Sequence, residues 1–495
     1  TVRMLVTDGR LVPDGETTFR PAGELGELTI PDSLRALVAS RLYSLEAEDR
    51  ALLQDATVLG QTFDHRSLAH IASQDEGAVE ERLKALVKRE LLEISVDPRS
   101  PERGHYGFVQ SVIREVAYDT LSRRDRRSRH LAAARYYEAE GDEELAAVLA
   151  THYLAALEAS DPGPEADALQ VQARLSLRAA ADRAFDLGSP DQATTHLEAA
   201  LGVTTEDAER APLLLRASDA ATAAADVPKA IEFARGSMAA YRSVGDTVAA
   251  LTAAGKLASN QLDMGQLDEA TELLEGAVLE AEPYPEVQAD LLARTARCYM
   301  RLVRDEEAVA AADRAIVLAE PLMLDRIVAE AMVNKGSALM KLGRVREPVL
   351  LLTASAELAQ EVGDYDLALR ARGNLSVALF MHDLPAAQEL RRQGVELATR
   401  LGSYKWRDLF VAASLGSADA AGLDWEGALE ALDERLAEGL DSFARIELLD
   451  SKARLQIQRG DDVSETMAQM WAVCDELGDP QAIADTTALE GERAY

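Results

Sequence analysis

The sequence predicts an all-α protein in which pairs of short antiparallel helices repeat to form a right-handed superhelix. Ala and Leu are abundant while aromatic residues make up only 5%, a composition that suits many thin helical layers better than a few thick cores. In residues 247–282, two apolar-periodic runs flank Gly265. Glycine can take the left-handed conformation that ends a helix, and Asp268 and Glu269 then suit the first turn of the next. The same pattern recurs along most of the chain.

Charge and cysteine content limit the possible partners. The formal net charge of -34 repels phosphate backbones, so the superhelix should not bind nucleic acid by itself. Cys298 and Cys474 lie inside apolar helical patterns, which predicts small buried side chains in a reducing compartment. No apolar run is long enough to span a bilayer, and no signal peptide opens the chain. The expected location is cytoplasmic, with no membrane partner.

Residues 1–29 predict a short apolar helix around Val2, Leu5 and Val6, followed by turn-rich and strand-like sequence. This stretch has too little apolar content to fold alone. The chain begins without Met and ends at Tyr495 inside a helical pattern, so we expect a fragment of a longer protein.

Residues 30–120 predict a winged-helix domain. A helix begins at Ile30-Pro31-Asp32-Ser33, with Pro and an acid in its first turn. Further helices are predicted over 49–59, 63–71 and 76–90, and a β-hairpin with a long tip over 91–109. The 76–90 helix carries acidic and basic residues in equal measure, whereas a helix that reads DNA should be clearly basic. The charge therefore favours a protein-contacting or structural winged helix over DNA binding.

Four stretches of this part of the chain resemble one family. They are Ile30–Leu42 (IPDSLRALVASRL), Arg50–Gly60 (RALLQDATVLG), Leu83–Leu92 and Phe108–Tyr118 (FVQSVIREVAY). They are similar to the segment after the ATPase core in bacterial STAND-class signalling ATPases. These include the multidomain adenylate/guanylate cyclase-like proteins and the large LuxR-type activators related to the maltose regulon activator. The specific resemblance covers roughly residues 1–160, and residues 1–29 resemble a remnant of the ATPase lid.

In that family a P-loop ATPase precedes a winged helix and a tetratricopeptide-type superhelix. The resemblance therefore implies that ATP binds only in a core missing from this chain. Where the family commonly has a histidine that can touch nucleotide, this chain has Gln110. This departure counts against nucleotide sensing through that position, and Phe108, Ile113, Val116 and Tyr118 are expected to be core residues.

A dense basic run follows, on a helix that continues to Tyr137. Its candidate contacts to the ATPase core, together with Gln110, are Arg123, Arg124, Arg126 and Arg127. The simpler alternative is a solvated helix face, partly paired with the acids of residues 138–144. Residues 121–160 are expected to form a helical connector and the first helix pair.

Residues 161–495 predict about eight repeats with a period of about 39, the last one truncated. This is longer than the tetratricopeptide period of about 34 by about one helical turn. A landmark residue, usually Ala, follows each interhelix turn. Twelve positions earlier stands a second landmark, small in seven of eight repeats, which marks the close helix crossing. The first set is Ala193, Ala230, Ala270, Ala308, Pro348, Ala387, Ala428 and, degenerately, Glu465; the second is Ala181, Ser218, Ala258, Ala296, Gly336, Leu375, Gly416 and Ala453.

The sequence carries no catalytic or metal motif. Gly255-Lys256 is followed by Leu257 and lies in a helix, so it is not a phosphate-binding loop. No zinc, redox or nucleophile motif occurs, and the histidines are scattered. We expect no cofactor and no enzyme activity in this chain.

The first helix of each repeat should line the inner surface, where a ligand binds. Counting from the small landmarks, the expected inner-face residues are Ser259, Leu262, Asp263, Arg297, Met300, Arg301, Ser337, Met340 and Lys341. Arg297, Arg301 and Lys341 are basic in an acidic superhelix and are a candidate patch for an acidic peptide or an anionic inducer. The simpler alternative is that each pairs with an acid on a neighbouring helix.

These observations predict a sensor and scaffold region of a STAND-class ATPase. The superhelix would bind a protein, a peptide or a small inducer, and the winged helix would relay that state to the ATPase core. One alternative is the same region of a LuxR-type transcription activator. Another is an all-helical enzyme, against which the missing motifs count.

Overall fold

Helices make up nearly all of the described chain. The computed structural model describes residues 11–13, 19–21, 32–95, 104–380, 382–416, 424–438, 440, 442–477 and 479–493. Within these ranges there are 24 α-helices, arranged in two compact units, Thr1–Leu187 and Gly188–Tyr495. None of the described helices is long and apolar enough to cross a membrane.

The N-terminal unit combines eight helices with short strands. Its elements are β1 (Leu11–Pro13), β2 (Phe19–Pro21), α1 (Asp32–Tyr43), α2 (Ala47–Thr57), β3 (Thr62–Phe63), α3 (His65–Ala72), α4 (Glu76–Lys88), β4 (Leu92–Ile94), β5 (Tyr106–Phe108), α5 (Ser111–Asp119), α6 (Arg123–Glu140), α7 (Ala146–Glu158) and α8 (Pro164–Asp186). Strands β1 and β2 pair antiparallel. The helix predicted around Val2 lies outside the described residues.

The predicted helical trio and β-hairpin are present. Strands β4 and β5 pair antiparallel with Leu92 opposite Phe108, and β3 pairs with the other edge of β5, so the sheet order is β3-β5-β4. The prediction of a helix over 63–71 was wrong at its start. Phe63 belongs to β3, and Asp64 accepts hydrogen bonds from the backbone amides of Arg66 and Ser67, which fixes the start of α3 at His65.

One hydrophobic core holds this part of the unit together. The sheet contributes the aromatic side chains of Phe63, Tyr106 and Phe108, which contact one another and are almost wholly buried. Ile113 and Val116 of α5 join the same cluster. The expectation that Phe108, Ile113 and Val116 are core residues is confirmed.

Boundaries within the chain differ in detail from the expected segments. Helix α8 packs against α7 and falls in the first compact unit, which ends at Leu187, whereas the repeats were expected to begin at residue 161. The finer division into a lid remnant, a winged helix and a connector remains a prediction.

The second unit is an array of helix pairs. Its helices are α9 (Pro190–Gly202), α10 (Asp207–Ala223), α11 (Val227–Ser243), α12 (Thr247–Asp263), α13 (Leu267–Glu280), α14 (Pro285–Arg301), α15 (Asp305–Ala319), α16 (Asp325–Lys341), α17 (Arg346–Glu361), α18 (Tyr365–Phe380), α19 (Leu384–Arg400), α20 (Tyr404–Leu415), α21 (Trp425–Leu436), α22 (Ser442–Arg459), α23 (Ser464–Leu477) and α24 (Pro480–Arg493). The predicted tetratricopeptide-like superhelix is confirmed.

Turn chemistry explains the helix ends. Gly265 has φ of 77°, the left-handed conformation that glycine adopts without strain. It stands between α12 and α13, as predicted. Asp246 caps α12 by accepting a hydrogen bond from the amide of Ala249 at 3.0 Å, which replaces a bond the first turn of a helix otherwise lacks.

The small landmarks lie where helices cross. The Ser218 hydroxyl donates to the Ala230 carbonyl at 2.9 Å, which joins the two landmarks of one repeat. A Cβ added at Gly336 would lie 2.9 Å from Leu352 Cγ, and one at Gly416 would lie 2.8 Å from Ser451 Cβ. The prediction that both glycines are packing positions is confirmed, since these distances are too short for a side chain.

Two landmarks need correction. Ser376 is the twelfth residue of α18, just as Gly336 is the twelfth residue of α16. Ser376, which is 1% exposed, is therefore the small residue at the position assigned to Leu375. In the last full repeat Glu465 is exposed, and the neighbouring Thr466 is the buried residue.

The first helix of each repeat contacts the first helix of the next. This holds along α12, α14, α16, α18, α20, α22 and α24. Each second helix, in contrast, packs between the first helices before and after it. We therefore call this series the inner helices.

Candidate binding surface on the inner helices

On five of the inner helices, the same four positions form one mostly polar stripe. Relative to the small landmark they lie six and two residues before it and one and five residues after it. Spacings of four, three and four keep the four side chains on one helical face. The inner stripe consists of Thr252, Lys256, Ser259 and Asp263 on α12; Asp290, Arg294, Arg297 and Arg301 on α14; Glu330, Asn334, Ser337 and Lys341 on α16; Arg370, Asn374 and Val377 on α18; and Glu447, Ser451, Arg454 and Gln458 on α22.

Counting forward from the landmarks therefore found only half of this stripe. The predicted residues Ser259, Asp263, Arg297, Arg301 and Lys341 belong to it. The positions before the landmarks, which include Arg294 and Glu330, were missed. A test of the four-three-four spacing along each inner helix would have found them.

Four other predicted residues do not face an open surface in the way expected. Leu262 is buried in the hydrophobic cluster of α12 to α15, and Met340 packs against the cluster around Val333 and Leu352. Residues four after the landmark thus turn toward the layer between the helices, and Met300 at the same position is half-buried. Ser337 is also buried; its hydroxyl donates to the Val333 carbonyl and accepts from Asn374.

Direct polar contacts join the stripe from one repeat to the next. Lys256 pairs with Asp219 of α10 at 2.7 Å, and the Asn374 amide donates to Ser337 at 2.7 Å. Asp263 pairs with Arg297 at 3.3 Å. The simpler alternative of pairing with an acid therefore holds for Arg297.

The charge of Arg294, at the centre of the stripe, is balanced by neighbouring acids. Arg294 forms an ion pair with Asp290 at 2.7 Å and donates to the Ser259 hydroxyl at 2.6 Å. Burial opposes the charge of Arg294, but Asp290 and Glu330 outweigh it and raise the pKa of its guanidinium. This arginine stays charged and links α14 to α12 through Ser259.

A closing contact joins the last repeat to the middle of the array. Arg301 at the end of α14 pairs with Asp479, which precedes α24, and their side chains are 14% and 5% exposed. Close by in sequence, the Leu477 carbonyl oxygen lies so near Gly265 that an added Cβ would collide with it. The repeats from α12 to α24 thus form a closed turn, with the inner helices inside it.

The two remaining predicted cations behave differently. Arg301 has its acidic partner in Asp479, a residue of the last repeat and not of the neighbouring helix that was expected. Lys341 is exposed and lies close enough to Asp305 and Asp485 to oppose the rise in their pKa values.

Glu447 of α22 lies near enough to Arg301 for the two charges to interact. Its side chain is exposed to solvent, yet burial by the surrounding helices is the main cause that raises its pKa to about 7, with Asp450 and Asp485 adding to the rise. Arg301 opposes the rise. Water reaches a carboxyl that protein surrounds, as expected on the inside of a closed turn.

Most residues proposed to contact an ATPase core already have partners inside the N-terminal unit. Arg123 donates to the carbonyls of Glu158 and Ser160, and Arg127 pairs with Glu165 at 2.5 Å. Arg126 lies over the Tyr118 ring, 4.4 Å from its centre. Tyr118 is half-buried at the edge of the core, where it packs against the cluster of Val58, Ile71, Leu121 and Ala133; its hydroxyl lies 3.0 Å from His130.

The described ion pairs of this basic run correct the expected pairing with residues 138–144. Its partners are instead Asp55, Asp119, Asp125, Asp161 and Glu165. The reason is geometric, because α6 packs beside α3 and α7, and its basic side chains reach acids of α2, α5 and α8. Arg124 and Gln110 are exposed, and Gln110 stands immediately before α5 without capping it. Their contact to an ATPase core remains a prediction.

A second polar cluster is sealed inside the N-terminal unit. The Nδ1 atoms of His130 and His152 lie 3.0 Å apart, and both side chains are buried. The ring of Tyr137 stacks on His152. Burial lowers the pKa of His130 to about 3 and that of His152 to about 4, so both rings are neutral at pH 7. His152 is thus a packed position of α7.

Among the described residues, no group of three or more His, Cys, Asp or Glu side chains could hold a metal ion. Cys298 and Cys474 are free and buried, as predicted. Burial raises the pKa of the Cys298 thiol to about 11, so it is not a nucleophile at neutral pH.

Comparison with known proteins yields distant structural resemblances. No protein-family model and no curated protein matches the sequence. The chain is similar to a STAND protein with a tetratricopeptide repeat sensor from Pyrococcus horikoshii, at 13% identity and TM-score 0.39, over 91% of this chain and 67% of that one. It is similar to a Rap protein complexed with Competence and Sporulation Factor, at 16% identity and TM-score 0.49, over 75% and 99%. A Rap conjugation gene regulator of plasmid pLS20 in complex with the Phr* peptide matches at 12% and 0.45, over 73% and 95%.

Proposed function

We propose that this chain is the sensor region of a signalling protein and binds a peptide or a small inducer on its inner stripe. The observation that supports the proposal is the inner stripe itself: charged side chains that water reaches, placed inside a closed turn of helices. Concave surfaces of helical repeats commonly serve as binding surfaces. A charged surface that protein surrounds also strengthens the attraction between a bound ligand and the groups around it.

In this proposal the N-terminal unit relays the bound state to a STAND-type ATPase core, which would supply ATP binding. The exposed Gln110 and Arg124 are the candidate contacts. The alternative of a LuxR-type activator differs only in carrying a DNA-binding domain elsewhere in the protein. An all-helical enzyme has less support, because the inner stripe contains neither a nucleophile paired with a base nor a metal-binding group among its described residues.

A ligand screen with a matched pair of variants tests where binding occurs. The full chain is screened against short peptides and small anions, and hydrogen exchange then locates the amides that each ligand protects. We expect protection in α12, α14, α16 and α18. Lys341→Glu, on the inner stripe, should weaken binding at least tenfold, whereas Arg346→Glu, an equal charge change on the second helix α17, should not.

Protection confined to the second helices, or equal loss of binding in both variants, would contradict an inner binding surface. Titration with MgATP serves as a separate check. We expect no binding, because the sequence lacks a phosphate loop. A one-to-one micromolar isotherm would show that the nucleotide site lies in this chain.

A further inference from the structure

Arg370 stands out among the charges of the inner stripe. It occupies the position six residues before Ser376 on α18, the same position that Asp290 and Glu330 occupy on α14 and α16. Its Nε atom is buried and has no hydrogen-bond partner. No hydrogen bond or ion pair joins its guanidinium to any other residue in the described part of the chain.

Every acid near Arg370 is already engaged by another group. Glu330 pairs with Arg326 at 3.0 Å, and Asp364 pairs with the same arginine at 3.7 Å. Asp366 accepts a hydrogen bond from the indole of Trp406. These carboxylates attract Arg370 only at a distance.

The charge of a second arginine, Arg297 of α14, also acts on it. Burial and then the charge of Arg297 lower the pKa of Arg370 to about 10, against the opposing effect of Glu330. Arg297 is itself half-buried and turns one guanidinium nitrogen toward Asp263, on the far side from α18. Two like charges therefore repel each other in the inner stripe, and no ion pair of Arg370 with an acid offsets this repulsion.

Such an arrangement costs stability in the absence of a ligand. A charge that is partly removed from water must be paired to be tolerated, and like charges repel more strongly where protein excludes water. In contrast, Arg294 sits one position along the same stripe and is fully paired. The sequence thus keeps one arginine satisfied and leaves its neighbour across the stripe unsatisfied.

We propose that Arg297 and Arg370 together bind a carboxylate group, presented by a peptide or by a free organic acid. The planar guanidinium fork matches the two oxygens of a carboxylate. Bound between the two arginines, the carboxylate replaces the missing acid and removes their repulsion. This inference rests on the proposed function, because it names the chemistry of the ligand at the same inner surface.

The variant Arg370→Met separates binding from structural support, because methionine keeps an apolar stem of similar length and loses the charge. All three tryptophans, Trp406, Trp425 and Trp471, lie in the superhelix, so their fluorescence follows the unfolding of this unit alone. Without ligand, the variant should unfold at a higher temperature than the unmodified chain. An arginine with a structural role would give the opposite shift.

The ligand arm uses defined probes at constant ionic strength. They are glutarate, and N-acetyl-tetra-alanine with a free or an amidated C-terminus. Glutarate should raise the thermal midpoint of the unmodified chain and bind Arg370→Met at least tenfold more weakly. A response to the free peptide acid but not to its amide identifies a peptide carboxylate; a response to glutarate alone identifies a free organic acid.

Arg392→Met is the control, since Arg392 is exposed and paired with Glu389 and Glu396. It should leave carboxylate binding unchanged. The inference is overturned if Arg370→Met does not raise the midpoint, or if no carboxylate probe stabilises the unmodified chain, or if the variant responds equally. If ligands from the screen protect the inner helices of Arg370→Met as well, the sensor proposal stands and only the carboxylate site fails.

Discussion

The two units place polar groups away from bulk water in opposite ways. In the N-terminal unit the buried histidines His130 and His152 contact each other and are held neutral by burial. In the superhelix, arginines and acids line an inner surface that water reaches, and Arg294 remains charged. The difference shows that the type of a polar residue on a helix does not by itself determine its charge state. A filled core suppresses its charge, whereas a lined interior preserves it and leaves it available to a ligand.

The largest expected effect concerns the sealed cluster at acid pH. The folded-state pKa values of His130 and His152 lie near 3 and 4, below the ordinary value of about 6.5 for an unfolded chain. Between about pH 6.5 and 4 the unfolded state therefore binds more protons, and stability falls as the pH is lowered. At pH 5 the loss should be about 2 kcal/mol for each histidine.

Hydrogen exchange, corrected for the intrinsic rate, measures this loss in α5 to α7. Helices α12 to α18 contain no histidine and are the internal reference, whose protection should change little between pH 7 and pH 5. Equal loss of protection in both regions would contradict the proposed difference between the buried histidine cluster and the inner surface of the superhelix.

The next effect tests how tightly the helices of the superhelix pack where they cross. Gly336→Leu places a side chain where Leu352 leaves no room, and overpacking of this kind costs about 1–3 kcal/mol. The thermal midpoint followed by tryptophan fluorescence should fall. Gly276→Leu is the matched control, because Gly276 lies in a helix with nothing within 4 Å of an added Cβ. Similar midpoints for the two variants would show that the helix crossings are loose.

The smallest expected effect is the pH dependence that Glu447 gives to the stability of the superhelix. The folded-state pKa of Glu447 is raised to about 7, so the native state binds more protons than the unfolded one between about pH 4.5 and 7. Its contribution to stability is therefore lost as the pH rises through this range, the reverse of the histidine effect. Because solvent reaches the side chain, the change should be modest. Glu447→Gln should raise the midpoint at pH 8 and leave it almost unchanged at pH 4.5; the same shift at both pH values would show that its titration is ordinary.

Much of the fold could be predicted because it depends on local pattern. Gly265 marked a helix end through its backbone freedom, and Gly336 marked a close crossing. The two-residue strand β3 could not be predicted, since Thr62 and Phe63 carry no periodicity and pair with Tyr106 and Gly107 only through the tertiary fold.

The candidate site was only partly predictable for a related reason. The spacing placed Arg297 and Arg301 on the inner surface, and pairing with an acid of a neighbouring helix was foreseen as the alternative for Arg297. The isolation of Arg370 was not, because it depends on which partner each nearby acid chooses. The partner of Arg301 was equally hidden, since Asp479 lies 178 residues away.

The contact between Arg301 and Asp479 also has a consequence for how the superhelix folds. A repeat array held only by neighbouring repeats can start to fold anywhere and grow from there, with ends that fray independently. A contact that spans 178 residues demands the closure of a long loop, which is entropically affordable only after the repeats between have formed. The last helix should therefore dock against α14 late in folding. Once docked, it should protect both ends of the closed turn from fraying. Ligands bound to the inner stripe would then slow the opening of the whole closed turn and not just of the repeats that they contact.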